Sequence, residues 1–137
     1  METIQILKDL TSNILETMFF ITQETEPLVK NFQYKFACNI QDAKFDIVLL
    51  FCEKTAVLMT ENFLGIDKAS TKDVQDTLKE SVNIIVGNFL GALFPDSPKK
   101  INIPVMIDNI NAINVDEYKN TLLYFKEEPL EILLKEL

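Results

Sequence analysis

The spacing of apolar residues changes its period along the chain, and this change limits the folds open to it. Between residues 3 and 22, apolar residues recur every three or four positions, which is typical of one face of a helix. Two segments, 33–40 and 44–52, then alternate apolar and polar residues, as strands do. Helical spacing returns at 55–64 and from Thr71 or Lys72 to Leu93. The core positions expected in the first helix are Leu7, Leu10, Ile14, Met18 and Ile21.

Residues that begin or end elements support these boundaries. Pro27 marks the end of the first helix, and Pro95 closes the third. For the second helix we expect Thr55 as the N-cap and Gly65 as the stop. These positions divide the chain into short elements without a linker or a low-complexity segment.

The C-terminal third has strand character. Residues 100–107 form an apolar run that predicts a strand, and Pro104 places it at a sheet edge or a bulge. Residues 120–137 predict a closing hairpin around Glu127, Glu128 and Pro129. The order of helix, two strands, two helices and strands predicts one α+β domain over residues 1–137, with about three helices and a mainly antiparallel sheet.

Composition excludes several classes of function. The formal net charge is −8, which disfavours nucleic acid because phosphates need a cationic surface. All 13 basic residues are Lys, so the chain offers no arginine finger or bidentate guanidinium clamp. There is no His, which excludes Ser-His-Asp and Cys-His nucleophiles and His-based metal sites.

Location and redox state follow from simple features. The longest apolar runs are too short to span a bilayer, and METIQILKDLTSN has acids where a signal peptide needs basic residues. We therefore expect a cytoplasmic protein that does not insert into membranes. Cys38 and Cys52 lie in strand-like runs, which favours two buried reduced thiols over a redox pair.

The third predicted helix carries a polar stripe. With Asp76 set at zero and about 100° per residue, Glu80 lies near 40°, Asn83 near 340° and Gly87 near 20°. The core candidates of the same helix fall between about 180° and 260°, and they are Leu78, Val82, Ile85, Phe89 and Leu93. The polar groups therefore point away from the core, toward solvent or a partner. Taken alone, the stripe is most often an ordinary solvated face.

The first helix holds a second copy of this pattern. Ser12, Glu16 and Phe19 precede Asp76, Glu80 and Asn83 by a constant offset, and the core positions match as well. Two related helices of this kind indicate a pseudo-symmetric domain. In the first copy, Phe19 stands where the second has the amide.

The pattern Asp76-x-x-x-Glu80-x-x-Asn83, followed by Gly87-Asn88, resembles the signature of the CheC/CheX/FliY family of chemotaxis phosphatases. The order of elements and the strand INIPVMI are also similar to that family over nearly the whole chain. One intact motif with one degenerate copy resembles the CheX type.

The resemblance implies a function and a partner. It implies hydrolysis of the aspartyl phosphate of a CheY-like response regulator, with Asn83 orienting the attacking water and Glu80 docking against the regulator's active-site Lys. Asp76 and Gly87 would contact the partner, Gly87 by permitting close approach. This chain would bind no cofactor and no metal, since the regulator brings its own Mg²⁺.

Two alternatives and one assembly state remain open at this point. The chain could be a non-catalytic adaptor that binds a response regulator through Glu80, or a structural α+β protein with a coincidental motif. A homodimer is expected because Leu15, Phe19 and Phe20 give the first helix a surplus apolar face. Val48 and Leu50, on the second face of their strand, also need cover.

Overall fold

The computed structural model describes residues 2–26, 32–97, 102–125 and 128–137. It confirms the predicted order of elements. The helices are α1 (Thr3–Phe19), α2 (Glu53–Leu64) and α3 (Thr71–Leu93). The strands are β1 (Tyr34–Gln41), β2 (Phe45–Cys52), β3 (Val105–Ile107), β4 (Lys119–Phe125) and β5 (Glu128–Glu136).

The five strands form one antiparallel sheet in the order β3-β1-β2-β5-β4. Side chains alternate between the two faces of a strand, so each strand offers one set to each face. The three helices cover one face and enclose the main core. The alternation predicted for β1 and β2 is confirmed there, where the sheet contributes Phe36, Cys38, Ile40, Phe45, Ile47, Leu49 and Phe51.

The other face of the sheet is covered by the chain itself. Ala37, Val48, Leu50 and Leu133 form a second apolar cluster, which packs under Ile107, Ile110, Ile113 and Tyr118 among others. The covering segment, residues 108–118, contains two short 3₁₀ helices. The Tyr118 hydroxyl donates to Asp46 at 2.8 Å and pins the segment to β2. Cover for Val48 and Leu50 therefore needs no second chain, which removes one of the two reasons given for a homodimer.

The buried face of α1 differs from the predicted one. Leu7 and Ile14 are buried as expected, but Met18 is 39% exposed and was wrongly predicted as core. Leu15 and Phe19, predicted as surplus apolar residues, are fully buried instead. The reason is that α1 packs against α2, α3 and β4, so its buried arc is wider and rotated from that of a helix with one neighbour.

The start of α2 also corrects the prediction. The helix begins at Glu53 directly after β2, so Thr55 lies in its first turn and is not the N-cap. The Thr55 backbone N–H donates to Glu128 Oε1 at 3.0 Å, and its hydroxyl donates to the same atom at 3.3 Å. A carboxylate from β5 thus satisfies a donor that an N-cap side chain would normally satisfy. Gly65 ends α2 as predicted, at φ 66°.

The C-terminal strands match the prediction in place but not in length. β3 is confined to Val105–Ile107 and begins after Pro104, because proline has no N–H to donate to a ladder. It is the edge strand next to β1, as predicted. β4 and β5 form the closing hairpin, and Glu128 and Pro129 belong to β5. The predicted turn residue Glu127 lies outside the described residues, as does Pro27. The predicted end of the first helix, at residue 22 with Pro27 as its stop, is wrong, because α1 ends at Phe19 and Phe20 adopts a left-handed conformation at φ 58°.

Both cysteines are fully buried and unpaired. Burial disfavours the charged thiolate and raises the pKa of both the Cys38 and Cys52 thiols to about 12. These are properties of structural thiols, as the sequence predicted.

The core contact of α3 can be tested by truncation. Phe89 is fully buried, and its ring lies 5.3 Å from that of Phe45 in β2. We expect Phe89→Ala to lower the free energy of unfolding by about 3–5 kcal/mol, measured by urea denaturation. The control Asn88→Ala changes an exposed neighbour, and we expect it to stay within about 0.5 kcal/mol of wild type. Similar unfolding curves for the two variants would show that α3 is not anchored through this face.

Candidate functional site

α3 is fixed at its start and along one face. Ser70 Oγ accepts a hydrogen bond from the Asp73 backbone N–H at 3.1 Å, and Asp73 Oδ2 accepts one from the Ser70 N–H at 3.1 Å. This reciprocal pair is a capping box and sets where the helix begins. The side chains of Leu78, Val82, Ile85 and Phe89 are fully buried against the sheet and the other helices. The helix therefore cannot rotate without exposing its core residues.

The face opposite to this core carries the polar stripe. Asp76, Glu80 and Asn83 are all exposed, while Val82, Ile85 and Phe89 are buried. The predicted separation of the two faces is confirmed. Gly87 lies about one turn beyond Asn83 and is half-buried, and its expected role in partner contact stays a prediction.

The stripe lines an open depression of about 310 Å³, called here the motif depression. One wall is α3, and the other is the segment just before β3. The lining residues are Asp76, Lys79, Glu80, Asn83, Asn102, Ile103 and Pro104. The structure thus brings three of the four predicted site residues together and adds four that were not predicted to belong to the site.

The second wall is held by two contacts. The Asn102 side-chain amide donates to the Gln41 carbonyl at the end of β1. Pro104 is buried and leads directly into β3, which pairs with β1. The wall is therefore tied to the sheet on which α3 lies, and the two sides of the motif depression share one support.

Asp76 is engaged within its own helix. Lys72 Nζ donates to Asp76 Oδ2 at 2.6 Å, one helical turn away. This hydrogen bond, aided by the charges of Lys72 and Lys79, lowers the pKa of the Asp76 carboxyl. The same hydrogen bond and the charge of Asp76 raise the pKa of the Lys72 ammonium. The i,i+4 spacing of Lys72 and Asp76 is visible in the sequence, so this pair was within reach of prediction.

The Glu80 carboxylate and the Asn83 amide differ from the Asp76 carboxylate, which is bound to Lys72. Within the described ranges, neither side chain makes a hydrogen bond or an ion pair. A carboxylate accepts hydrogen bonds and attracts a cation, and an amide both donates and accepts while staying neutral. The two groups stand side by side, one turn apart, in a depression that opens to solvent. Such a pair can enter a second molecule's polar site without first breaking contacts of its own.

The related pattern in α1 forms no equivalent site. Phe19, at the position of the amide, is fully buried and stacks on Phe63 with ring centroids 4.8 Å apart. Ser12 donates to the Gln23 side chain at 3.2 Å, and Glu16 is exposed. Of the two copies, only the one on α3 presents an acid and an amide together.

Two further features are absent from the described part of the chain. It holds no group of three or more Cys, Asp or Glu residues that could ligate a metal ion. Among its helices, none has both the length and the apolar character needed to cross a bilayer. The prediction that this chain binds no metal or cofactor stays a prediction.

Sequence comparison places residues 40–125 in a described family. They match the family model "Chemotaxis phosphatase CheX", which covers more than half of the chain and includes the whole of α3. No curated protein matches the chain significantly in sequence.

Solved structures of low sequence identity share the fold. A chemotaxis protein CheX from Desulfovibrio desulfuricans superposes with a TM-score of 0.73 at 18% identity, covering 100% of both chains. CheX from Vibrio vulnificus gives 0.72 at 17% identity, covering 100% of this chain and 97% of that one. A Borrelia burgdorferi structure, a CheX-CheY-BeF3-Mg²⁺ complex, gives 0.68 at 16% identity, with 98% and 97% covered.

The Lys72–Asp76 pair makes a titration prediction. Because the folded-state pKa of Asp76 is depressed, its stabilisation is present above the ordinary aspartate pKa and is lost as pH falls through the lowered value. The folded-state pKa of Lys72 is raised, so the stabilisation that Lys72 contributes is lost only as pH rises through that raised value. We expect Lys72→Gln to raise the Asp76 pKa toward its ordinary range in an NMR titration of the side-chain carboxyl.

Lys79→Gln is the matched control for this titration. Lys79 acts on Asp76 through charge alone and less strongly than Lys72, so its removal should raise the Asp76 pKa less. An Asp76 titration that is the same in wild type and in Lys72→Gln would show that the pair does not form in solution.

Proposed function

The chain belongs to the CheX family of chemotaxis phosphatases, and from this premise we propose that it dephosphorylates the aspartyl phosphate of a CheY-like response regulator. α3 would enter the regulator's active site with Glu80 and Asn83 leading. The observation that carries this proposal is the pair of exposed side chains on α3 that have no hydrogen-bond or ion-pair partner among the described residues. The Borrelia burgdorferi complex of CheX with CheY supports a partner of this type.

The proposed chemistry asks little of this chain. Water attacks the phosphorus in line with the leaving carboxylate, and catalysis comes from positioning and charge neutralisation. In this proposal the regulator contributes the phosphoryl group, its Mg²⁺ and a Lys. Asn83 would hold the attacking water with one hydrogen bond accepted and one donated, and the amide undergoes no change in protonation. A chain without His or Arg can perform this role.

Glu80 would act before the chemical step. Its carboxylate, free of partners within the described residues, would pair with the regulator's active-site Lys and set how deeply α3 enters. Because Asn83 lies one turn further along the same face, the ion pair would also place the amide. Asp76 is bound to Lys72 and would contribute a peripheral contact. Gly87 would let the partner approach closely beyond Asn83.

Two further features of the expected protein remain proposals. Action on a receiver domain would place the chain in the cytoplasm. Of the surplus apolar face of α1 that led us to expect a homodimer, Leu15 and Phe19 are buried within the chain, and Phe20 remains at 69% exposure. Met18, exposed on the same helix, adds to the apolar surface that a second copy would cover. Sedimentation at high micromolar concentration tests the dimer, and a monomer there would rule it out.

The central variant is Asn83→Ala. We expect it to lower the stimulated rate of dephosphorylation by roughly 100-fold or more, because the amide acts in the transition state. Binding to the regulator activated with beryllofluoride, which stands in for the phosphoryl group, should stay close to wild type. The measurements are decay of the phosphorylated regulator and fluorescence-detected binding. Asn88→Ala is the matched control, since Asn88 is an exposed amide on the same helix whose side chain donates to the Ile84 carbonyl.

Glu80→Lys should act on binding instead. Reversing a charge that pairs with a buried lysine costs on the order of 2–5 kcal/mol of binding free energy. Neither variant should unfold the chain, since both residues are exposed.

If Asn83→Ala keeps the wild-type decay rate, Asn83 does not position the water. If wild type binds activated regulators without speeding decay, the chain is a non-catalytic adaptor.

A further inference from the structure

Ile103 is the most exposed large apolar residue of the described chain, at 83%, and it lines the motif depression together with Glu80 and Asn83. Isolated apolar residues on a surface need no explanation. This one differs because it faces the space that the proposed partner would enter. It belongs to the wall opposite α3 and not to the motif.

The backbone holds Ile103 in this position from both sides. Asn102, before it, is tied to the Gln41 carbonyl, and Pro104, after it, is buried. A residue that precedes proline is also restricted to extended conformations. Ile103 therefore has little backbone freedom to lose when it is covered, and a contact made through it costs less ordering entropy.

The charges of the two molecules make a short-range contact valuable. This chain carries a net charge of −8, and a phosphorylated aspartate is also anionic. The net charge of this chain therefore does not attract the phosphoryl group itself. Within the motif depression, Lys79 offsets part of the charge of Glu80 and Asp76 but leaves no strong positive field. Affinity must come from contacts at close range, and buried apolar side chains are the usual source.

We propose that Ile103 is a partner-binding residue that packs against an apolar patch beside the phosphorylation pocket of the regulator's receiver domain. This inference rests on the proposed function and extends its interface to the wall opposite α3. The receiver domain is the expected occupant because Ile103 lines the same depression as Glu80 and Asn83, the two residues that would enter its active site. A regulator with a polar residue at the contacted place would bind weakly, so Ile103 contributes to the choice among regulators.

The test compares Ile103→Asp with wild type, using the CheY-type regulator that wild type dephosphorylates fastest. We expect Ile103→Asp to raise the Kd for the beryllofluoride-activated receiver domain by about tenfold or more, which is the scale for losing one buried side chain of this size. KM for the phosphorylated regulator should rise likewise, while kcat at saturation stays unchanged, because the lost contact is the same in ground and transition states. Ile103→Val should stay near wild type.

The matched control is Val115→Asp. Val115 is 48% exposed and belongs to the segment that covers the opposite face of the sheet. The Val115→Asp variant should keep the wild-type Kd and KM for the regulator. Thermal unfolding checks that each variant folds, and Ile103→Ser replaces Ile103→Asp if the latter is destabilised.

The outcomes separate this inference from the proposed function. If Ile103→Asp and Ile103→Ser keep the wild-type Kd and KM while Asn83→Ala abolishes turnover, the inference is wrong and the proposed function stands. If Ile103→Asp changes the sedimentation of the chain alone without changing regulator affinity, the residue contacts a second copy and the inference is again wrong. If wild type neither binds nor dephosphorylates any regulator, both fail.

Discussion

Burial of one face of α3 is the constraint on which the rest of the structure depends. Four large side chains on this helix have no solvent exposure, and they meet the sheet through contacts such as that of Phe89 with Phe45. Turning the helix by even a small angle would expose apolar surface to water, at a free-energy cost of about 25 cal/mol for each Å² exposed. The core therefore sets the direction in which Glu80 and Asn83 point. A site made only of short polar side chains would need this support, because in the proposed mechanism it contributes positioning alone.

The sheet extends the same support to the second wall of the motif depression. β1 lies beneath α3 and also pairs with β3, and the wall at residues 102–104 is tied to β1 through Gln41. Both sides of the depression are thus supported by the same strand of the core sheet. On the far side of the sheet, the segment around Tyr118 packs over Val48 and Leu50 of β2, and its hydrogen bond to Asp46 holds it there.

Parts of this arrangement are readable in the sequence because they depend on local spacing. The 23 residues of α3 repeat the helical period often enough that its two faces, and hence the outward direction of Asp76, Glu80 and Asn83, could be predicted. Gly65 could be predicted as a stop because only the local left-handed backbone conformation matters there. The acid and amide spacing then suggested a family, which the match over residues 40–125 supports.

The remaining features depend on contacts between distant segments. Thr55 is not a cap because Glu128, 73 positions away, reaches its backbone N–H. Leu15 is buried, and Met18 is exposed, because α1 packs against three other elements. The helical period of apolar residues does not show how many elements a helix will contact. Ile103 reaches the motif depression only through the pairing of β3 with β1. Side chains brought together by tertiary pairing carry no signal in the spacing of either segment.

The most direct test of the account is multiple turnover. A CheY-like regulator is phosphorylated continuously by a small phosphodonor, and inorganic phosphate is measured with this chain present at a tenth or less of the regulator concentration. The account predicts release well above the regulator's own rate, in proportion to the amount of this chain, with many phosphates released per molecule. Release that stays at the regulator's own rate across CheY-like regulators, whatever amount of this chain is added, would contradict it.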